Sequence, residues 1–160
     1  MTADPTRLEL EITIDVPVEH AFGTFTERFD EIKPREQNLL AVPIERTVLE
    51  PQVGGTIHDV GTDGTTCTWA RVLAFEPPNR LVFSWDLGPA FELETDPARC
   101  SEVEVTFTPL GPEQTLVRLE HRHLDRHGEG WEGLTFLGTG DGWPLWLARY
   151  REMVASSDAA

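Results

Sequence analysis

His121 and His123, two residues apart near the end of an alternating run, have a spacing that could do chemistry. On an extended strand, side chains i and i+2 share a face. Two imidazoles there can chelate a metal or offer a base to a substrate. No third ligand is evident, because Glu120 points to the opposite face and His127 falls in a loop of unspecified course. The plainer reading is a His121 that hydrogen-bonds a loop carbonyl or a polar group of a ligand. As a lone titratable group beside Val117 and Leu119, His121 is also the candidate general acid or base, although no carboxylate on its own face would orient it.

Other reactive types are weaker candidates. Arg71 shares a face with Trp69 and Leu73 if that strand is regular, and an inward guanidinium needs a carboxylate or an anionic ligand. A bulge near Ala70 would turn it out to solvent instead. The pairs Glu9/Glu11, Glu92/Glu94 and Glu102/Glu104 repeat at period two, the mark of a solvated strand face rather than an acid/base dyad. Cys67 and Cys100 belong at the same end of a sheet but two strands apart. At ~4.8 Å per strand their Cα atoms are roughly 9–10 Å apart, beyond disulfide reach, so two free thiols are expected. Gly-x-Gly-x-x-Gly, Walker and Gly-x-Ser-x-Gly motifs are all missing, and no metal or cofactor is expected.

The elements that must position these residues follow from periodicity. Arg7–Ile14 alternates Leu8, Leu10, Ile12 and Ile14, a half-buried strand. Pro17 opens a helix whose stripe Val18, Ala21, Phe22, Phe25 and Phe29 runs over three turns. Asp30–Asn38 is polar and broken by Pro34. Strands are then expected at Ile44–Leu49, Thr56–Val60, Thr65–Phe75, Arg80–Asp86, Glu102–Thr108 and Thr115–His123. Turns at Gly54-Gly55, Asp63-Gly64, Pro77-Pro78-Asn79 and Gly111-Pro112 separate them, with an irregular connection at Gly88–Ala98. Short strands joined by tight turns make an antiparallel meander. Leu124–Thr139 reads as a loop anchored by Trp131, Phe136 and Leu137. Asp141 then caps a helix with Pro144 in its first turn, and Trp143, Trp146, Leu147, Tyr150 and Val154 form its apolar face. That face has to be buried against the inner side of the sheet. Phe83, Trp85, Phe107, Trp143, Trp146 and Tyr150, with Trp69, converge there as the walls of a ligand cavity or as core filler.

Composition bounds the function. The 160 residues are the size of one domain, and they carry a formal charge of −15 with a single lysine, Lys33, against twelve arginines. Such acidity repels phosphate backbones and anionic lipid, which argues against nucleic-acid and membrane-surface roles. No apolar run approaches the ~20 residues of a membrane span, and Met1–Leu8 holds no signal-like apolar stretch. A cytoplasmic protein is expected, with a homodimer left open.

The order of elements resembles the START-like, helix-grip (SRPBCC) superfamily, and within it the branch related to the activator of Hsp90 ATPase. The matching strings are Glu50-Pro51 with Gly54-Gly55, Glu76-Pro77-Pro78-Asn79-Arg80-Leu81 leading to Trp85, Ser101–Phe107, Thr115–His121, and Gly142-Trp143-Pro144 with Leu147. The resemblance implies an α+β fold in which a curved antiparallel sheet of six to seven strands wraps a long C-terminal helix. A short helical segment would follow the first strand, and residues 1–160 would form one domain with an ordered core of about 8–155. It further implies an elongated apolar cavity between sheet and helix, holding a lipid, isoprenoid or aromatic polyketide-like molecule. The aromatic residues above would then be ligand contacts, with His121 the polar one. A cyclase or dehydratase using His121 and an Hsp90-activator-like co-chaperone are the alternatives it carries. One departure stands out: that branch often has Trp-Trp-Pro after the first helix, and this chain has Ile32-Lys33-Pro34.

Overall fold

The computed structural model describes residues 5–35, 37–140 and 142–158, with side chains up to Ala155. The alternating segments become seven strands: β1 (Leu8–Ile14), β2 (Ile44–Leu49), β3 (Thr56–Gly61), β4 (Thr66–Glu76), β5 (Arg80–Trp85), β6 (Ser101–Gly111) and β7 (Gln114–Arg122). They form one curled antiparallel sheet in the order β1-β7-β6-β5-β4-β3-β2. Strands β2 to β7 are a meander, and β1 closes onto β7, pairing Leu8 with His121 and Ile12 with Val117. The β3–β4 hairpin turns through Gly64 at φ +86, a conformation nearly free of cost only for glycine.

One irregularity matters for the site. Ile57 pairs with Ala70 but His58 pairs with Thr68, so Trp69 is an extra residue on β4. The bulge lets the adjacent Trp69 and Ala70 both be buried and resets the alternation beyond them. Val72 then faces inward, Leu73 is 37% exposed and Arg71 is half-buried.

Three helices cover the concave face. Pro17 is the extended N-cap of α1 (Val18–Glu27), and the chain breaks at Arg28 before a short α2 (Phe29–Ile32). The stripe expected to run unbroken over three turns is therefore divided. Its burial survives the break, since Ala21, Phe22, Phe25, Phe29 and Ile32 are all in the core. The C-terminal helix α3 (Trp143–Asp158) has Pro144 in its first turn, where a missing N–H costs nothing. The expected cap, Asp141, lies outside the described residues. Trp143, Trp146, Leu147, Tyr150 and Val154 are each at most 3% exposed. A ring of this size removes roughly 150–250 Å² from water, about 4–6 kcal/mol at ~25 cal/mol per Å². That is what holds α3 against the sheet.

Between β7 and α3 the chain makes two 3₁₀ segments, Leu124–His127 and Trp131–Gly138. Leu124, Leu134 and Leu137 are buried, Trp131 is partly buried, and Phe136 is 52% exposed. Phe136 is thus not an anchor: a 3₁₀ turn places residues i and i+3 on one side, which buries Leu134 and Leu137 and turns Phe136 out. No described helix is long and apolar enough to cross a membrane.

Candidate ligand site

The aromatic residues singled out above meet in one cluster. Trp69, Phe83, Trp85, Phe107, Trp143, Trp146 and Tyr150 are each at most 2% exposed. Ring centroids lie 4.8 Å apart for Trp143–Trp146, 5.3 Å for Trp85–Trp143 and 5.5 Å for Trp69–Trp85. Most pairs are edge to face, the arrangement favoured by the ring quadrupole. At Trp69 and Trp85 the rings leave a void of about 10 Å³, at most the room of one water. Between sheet and α3, the elongated cavity implied by the resemblance is occupied by the protein's own rings.

An apolar hollow of ligand size lies instead at the open end of the sheet. The start of the β5–β6 connection and the second 3₁₀ segment enclose a cleft of about 330 Å³, with Trp85 as floor and Leu87, Phe91, Leu134, Phe136 and Leu137 as walls. Ligand pockets begin at about this volume. Phe91 sits at φ +60 and is 36% exposed. Its backbone is left-handed, a conformation that costs a non-glycine residue ~1–3 kcal/mol. The indole Nε1–H of Trp85 is buried and has no acceptor among the described residues.

Beneath Trp85 runs a chain of hydrogen bonds whose direction can be deduced. An indole N–H only donates. Trp143 Nε1 donates to His121 Nδ1 at 3.1 Å, so neutral His121 carries its proton on Nε2 and gives that bond to Ser101 Oγ, 2.7 Å away. The Ser101 hydroxyl then donates to His127 Nε2 at 2.7 Å, and the Ser101 backbone N–H donates to the same nitrogen at 3.1 Å. The proton of His127 is thereby placed on Nδ1, which is buried with no acceptor among the described residues. Complete burial, reinforced by His127, pushes His121 down to about 3, and burial lowers His127 as well. Both rings are neutral at pH 7, and both nitrogens of His121 are already bonded to protein groups.

His121 and His123 do not share a site. Strand β7 ends at Arg122, and His123 turns into the left-handed region at φ 64 and is exposed. The partner of His121 is His127, reached through Ser101. No cluster of three or more His, Cys, Asp or Glu able to hold a metal occurs among the described residues. Ser101 was legible as a polar residue on the buried alternation Ser101, Val103, Val105, Phe107; His127 carried no periodic signal.

A second buried polar group was not anticipated. Lys33, only 4% exposed, reaches Asp59, 2% exposed, with Nζ 2.9 Å from Oδ2. Asp59 Oδ1 accepts from Thr47 Oγ1 at 2.7 Å and from Trp69 Nε1 at 3.3 Å. Lys33 Nζ also donates to the Gln37 carbonyl and lies 5.7 Å from the Trp69 ring centre, a cation–π contact. Burial lowers the Lys33 pKa, and Asp59 opposes the shift. The signals for this pair were the solitary lysine and an aspartate at an inward position of β3, two residues after the fully buried Ile57.

The remaining reactive groups have structural partners. Arg71 makes a two-point contact with Asp86, at 3.2 and 3.3 Å; with Val72 facing inward, the bulge turns Arg71 to the other face of the sheet, where Asp86 is its carboxylate partner. Cys67 and Cys100 are free and buried. Burial pushes the Cys100 thiol up to about 12 and raises Cys67 too, so neither supplies a thiolate near neutrality. Glu102 and Glu104 pair with Arg122 at 3.2 and 3.0 Å on the outer face of the sheet.

Comparison with known proteins agrees with this architecture. Among solved structures, the chain is similar to Txn09, an anthrahydroquino-γ-pyrone synthase, at 32% identity over 94% of this chain and 99% of that one, with a TM-score of 0.63. It is similar to CalC, a self-sacrificing resistance protein from Micromonospora echinospora, at 25% identity over 96% and 97%, with a TM-score of 0.67. DynU16, from the dynemicin biosynthetic locus, shares the fold at 19% identity, covering 97% of this chain and 49% of its own, with a TM-score of 0.60. A comparison with curated proteins finds no match. The family model for Activator of Hsp90 ATPase homolog 1-like protein matches residues 15–155. With that span matched, and with a 32% identical relative aligned along nearly its whole length, the chain belongs to the Activator of Hsp90 ATPase homolog 1-like family.

Proposed function

We propose that this protein binds a flat, polycyclic aromatic molecule of the aromatic polyketide type in the cleft floored by Trp85. The observation that carries this reading is the cleft itself: about 330 Å³, walled by Leu87, Phe91, Leu134, Phe136 and Leu137, over an indole fixed by its neighbours. A planar ligand stacks on a ring that cannot move, so little side-chain entropy is lost on binding. The likeness to a protein named as an anthrahydroquino-γ-pyrone synthase supports a fused aromatic ligand.

The same likeness favours a second reading, in which the cleft shapes a reactive chain for ring closure. His121 would act there by fixing Trp143 and Ser101 behind the floor, because its own nitrogens are occupied. In the binding reading, 9,10-anthraquinone quenches tryptophan fluorescence and raises Tm. Phe136→Asp, on the exposed wall, weakens that binding about tenfold, ~1.4 kcal/mol, while leaving the unliganded Tm unchanged. Absence of both quenching and a Tm rise with anthraquinone and other flat polycycles overturns the binding reading.

A further inference from the structure

The Lys33–Asp59 pair is hard to justify as packing alone. Taking two charges out of water costs several kcal/mol per ion, and a well-packed apolar pair of the same volume is often no less stable. What distinguishes this pair is its position. The small void that Lys33 and Asp59 border is also lined by Gln37, Trp85, Leu87 and Phe91, and those four residues line the outer cleft as well. The ammonium therefore lies on the far side of a wall shared with the cleft. The member of that wall most open to solvent is Phe91, which has a left-handed backbone and is 36% exposed.

We propose that Lys33 is an inner binding residue of the cleft, donating a hydrogen bond to a phenolic or enolic oxygen of the aromatic ligand when Phe91 swings aside. This rests on the reading of the cleft as an aromatic-ligand site. Lys33 has three N–H donors; among the described residues, Asp59 and the Gln37 carbonyl take two, which leaves one for the void. The other walls of that void, Trp69, Trp85, Leu39, Leu87 and Phe91, are apolar or offer ring faces, and they suit a fused ring rather than a hydrated head group. Asp59 settles the class of oxygen. It already balances the lysine charge and repels a second strong anion, so a carboxylate or phosphate gains little. A weakly acidic oxygen conjugated to a ring gains a directed donor in a dry site, and its ionised form is favoured by the adjacent ammonium. The carboxylate is itself fixed by Thr47 and Trp69, so the ammonium is held in place before a ligand arrives.

The test uses two probes of one shape, 9,10-anthraquinone and 2-hydroxyanthraquinone, with the 160-residue chain. The wild type binds the hydroxylated probe at least tenfold more tightly at pH 7, and the bound probe shows the long-wavelength absorption of its phenolate. Lys33→Met leaves Asp59 buried without its cation, so the double variant Lys33→Met/Asp59→Asn is measured as well; its amide oxygen still accepts from Thr47 and Trp69. In that variant both probes bind equally and the phenolate band is lost. Phe91→Ala speeds association of the hydroxylated probe. Equal affinities in the wild type, or a preference and band that persist in the double variant, overturn the role of Lys33 while leaving the cleft intact. Failure of both probes to bind the wild type overturns the cleft reading together with this one.

Discussion

Because the Trp143 indole can only donate, every later proton in the chain through His121, Ser101 and His127 has a fixed position. Ser101 is the link that both accepts and donates. Ser101→Ala leaves the His121 Nε2–H buried without an acceptor, and such an orphan costs about 1–3 kcal/mol. The expected result is a fall of that size in unfolding free energy, read from the urea midpoint at pH 7. The histidine also sets a pH dependence. The folded pKa of His121, about 3, lies below its unfolded value of 6.5, so between these limits the unfolded chain binds the extra proton. Its contribution to stability is complete above pH 6.5 and is lost as pH falls toward 3, by about 1.4 kcal/mol per pH unit. Measured as stability against pH, the wild type falls more steeply through this window than His121→Gln, which has no proton to gain there. Equal slopes would contradict the assignment. The alternation of β7 made the buried His121 legible in the sequence. Its partner was not, because the turn that brings His127 back to Ser101 depends on His123 leaving the strand.

Helix α3 is the element on which the interior is organised. Trp146 touches Phe29, Trp69, Trp85 and Trp143, and Trp146→Ala removes the centre of that set. The expected loss is ~3–5 kcal/mol, seen as a lower urea midpoint. Tyr150 does different work: its hydroxyl donates to the Ala21 carbonyl at 2.6 Å, tying α3 to α1. Tyr150→Phe keeps the ring contact with Phe25 and costs about 1 kcal/mol. The strands and α3 were readable to within two residues, apart from β6, which runs three residues past the expected Thr108 to Gly111, because alternation, turn glycines and the Trp143–Tyr150 spacing all agree. The break at Arg28 was not readable, since the apolar spacing from Phe25 to Phe29 runs straight across it. At Arg71 the sequence left two courses open. The structure takes the bulge: the extra Trp69 shifts the strand and turns Arg71 off the inner face, and there the half-buried guanidinium finds Asp86.

At the scale of the whole molecule, the charge of −15 and the cross-strand pairs of Arg122 with Glu102, Glu104 and Glu120 pull in opposite directions under salt. Exposed or partly exposed pairs contribute little each, whereas repulsion among many like charges is spread over the surface. Shortening the screening length from about 30 Å at 0.01 M salt to about 8 Å at 0.15 M should therefore raise Tm. A fall would mean that the Arg122 network outweighs the net charge. The cleft was the least legible feature, because its walls come from segments around residues 37, 85–91 and 134–137, far apart in the chain and without regular periodicity. The inward rings were legible; whether they enclosed space or filled it depended on their packing angles, which no spacing encodes.

That packing also has an optical consequence. Trp69, Trp85, Trp143 and Trp146 form a ring of neighbours with centroids 4.8–6.4 Å apart. Indoles this close share excitation rather than emit independently, and their coupled transitions give a circular dichroism couplet that reports mutual orientation. Trp85 is the member that faces the cleft. A molecule stacked on that one indole drains light absorbed by all four.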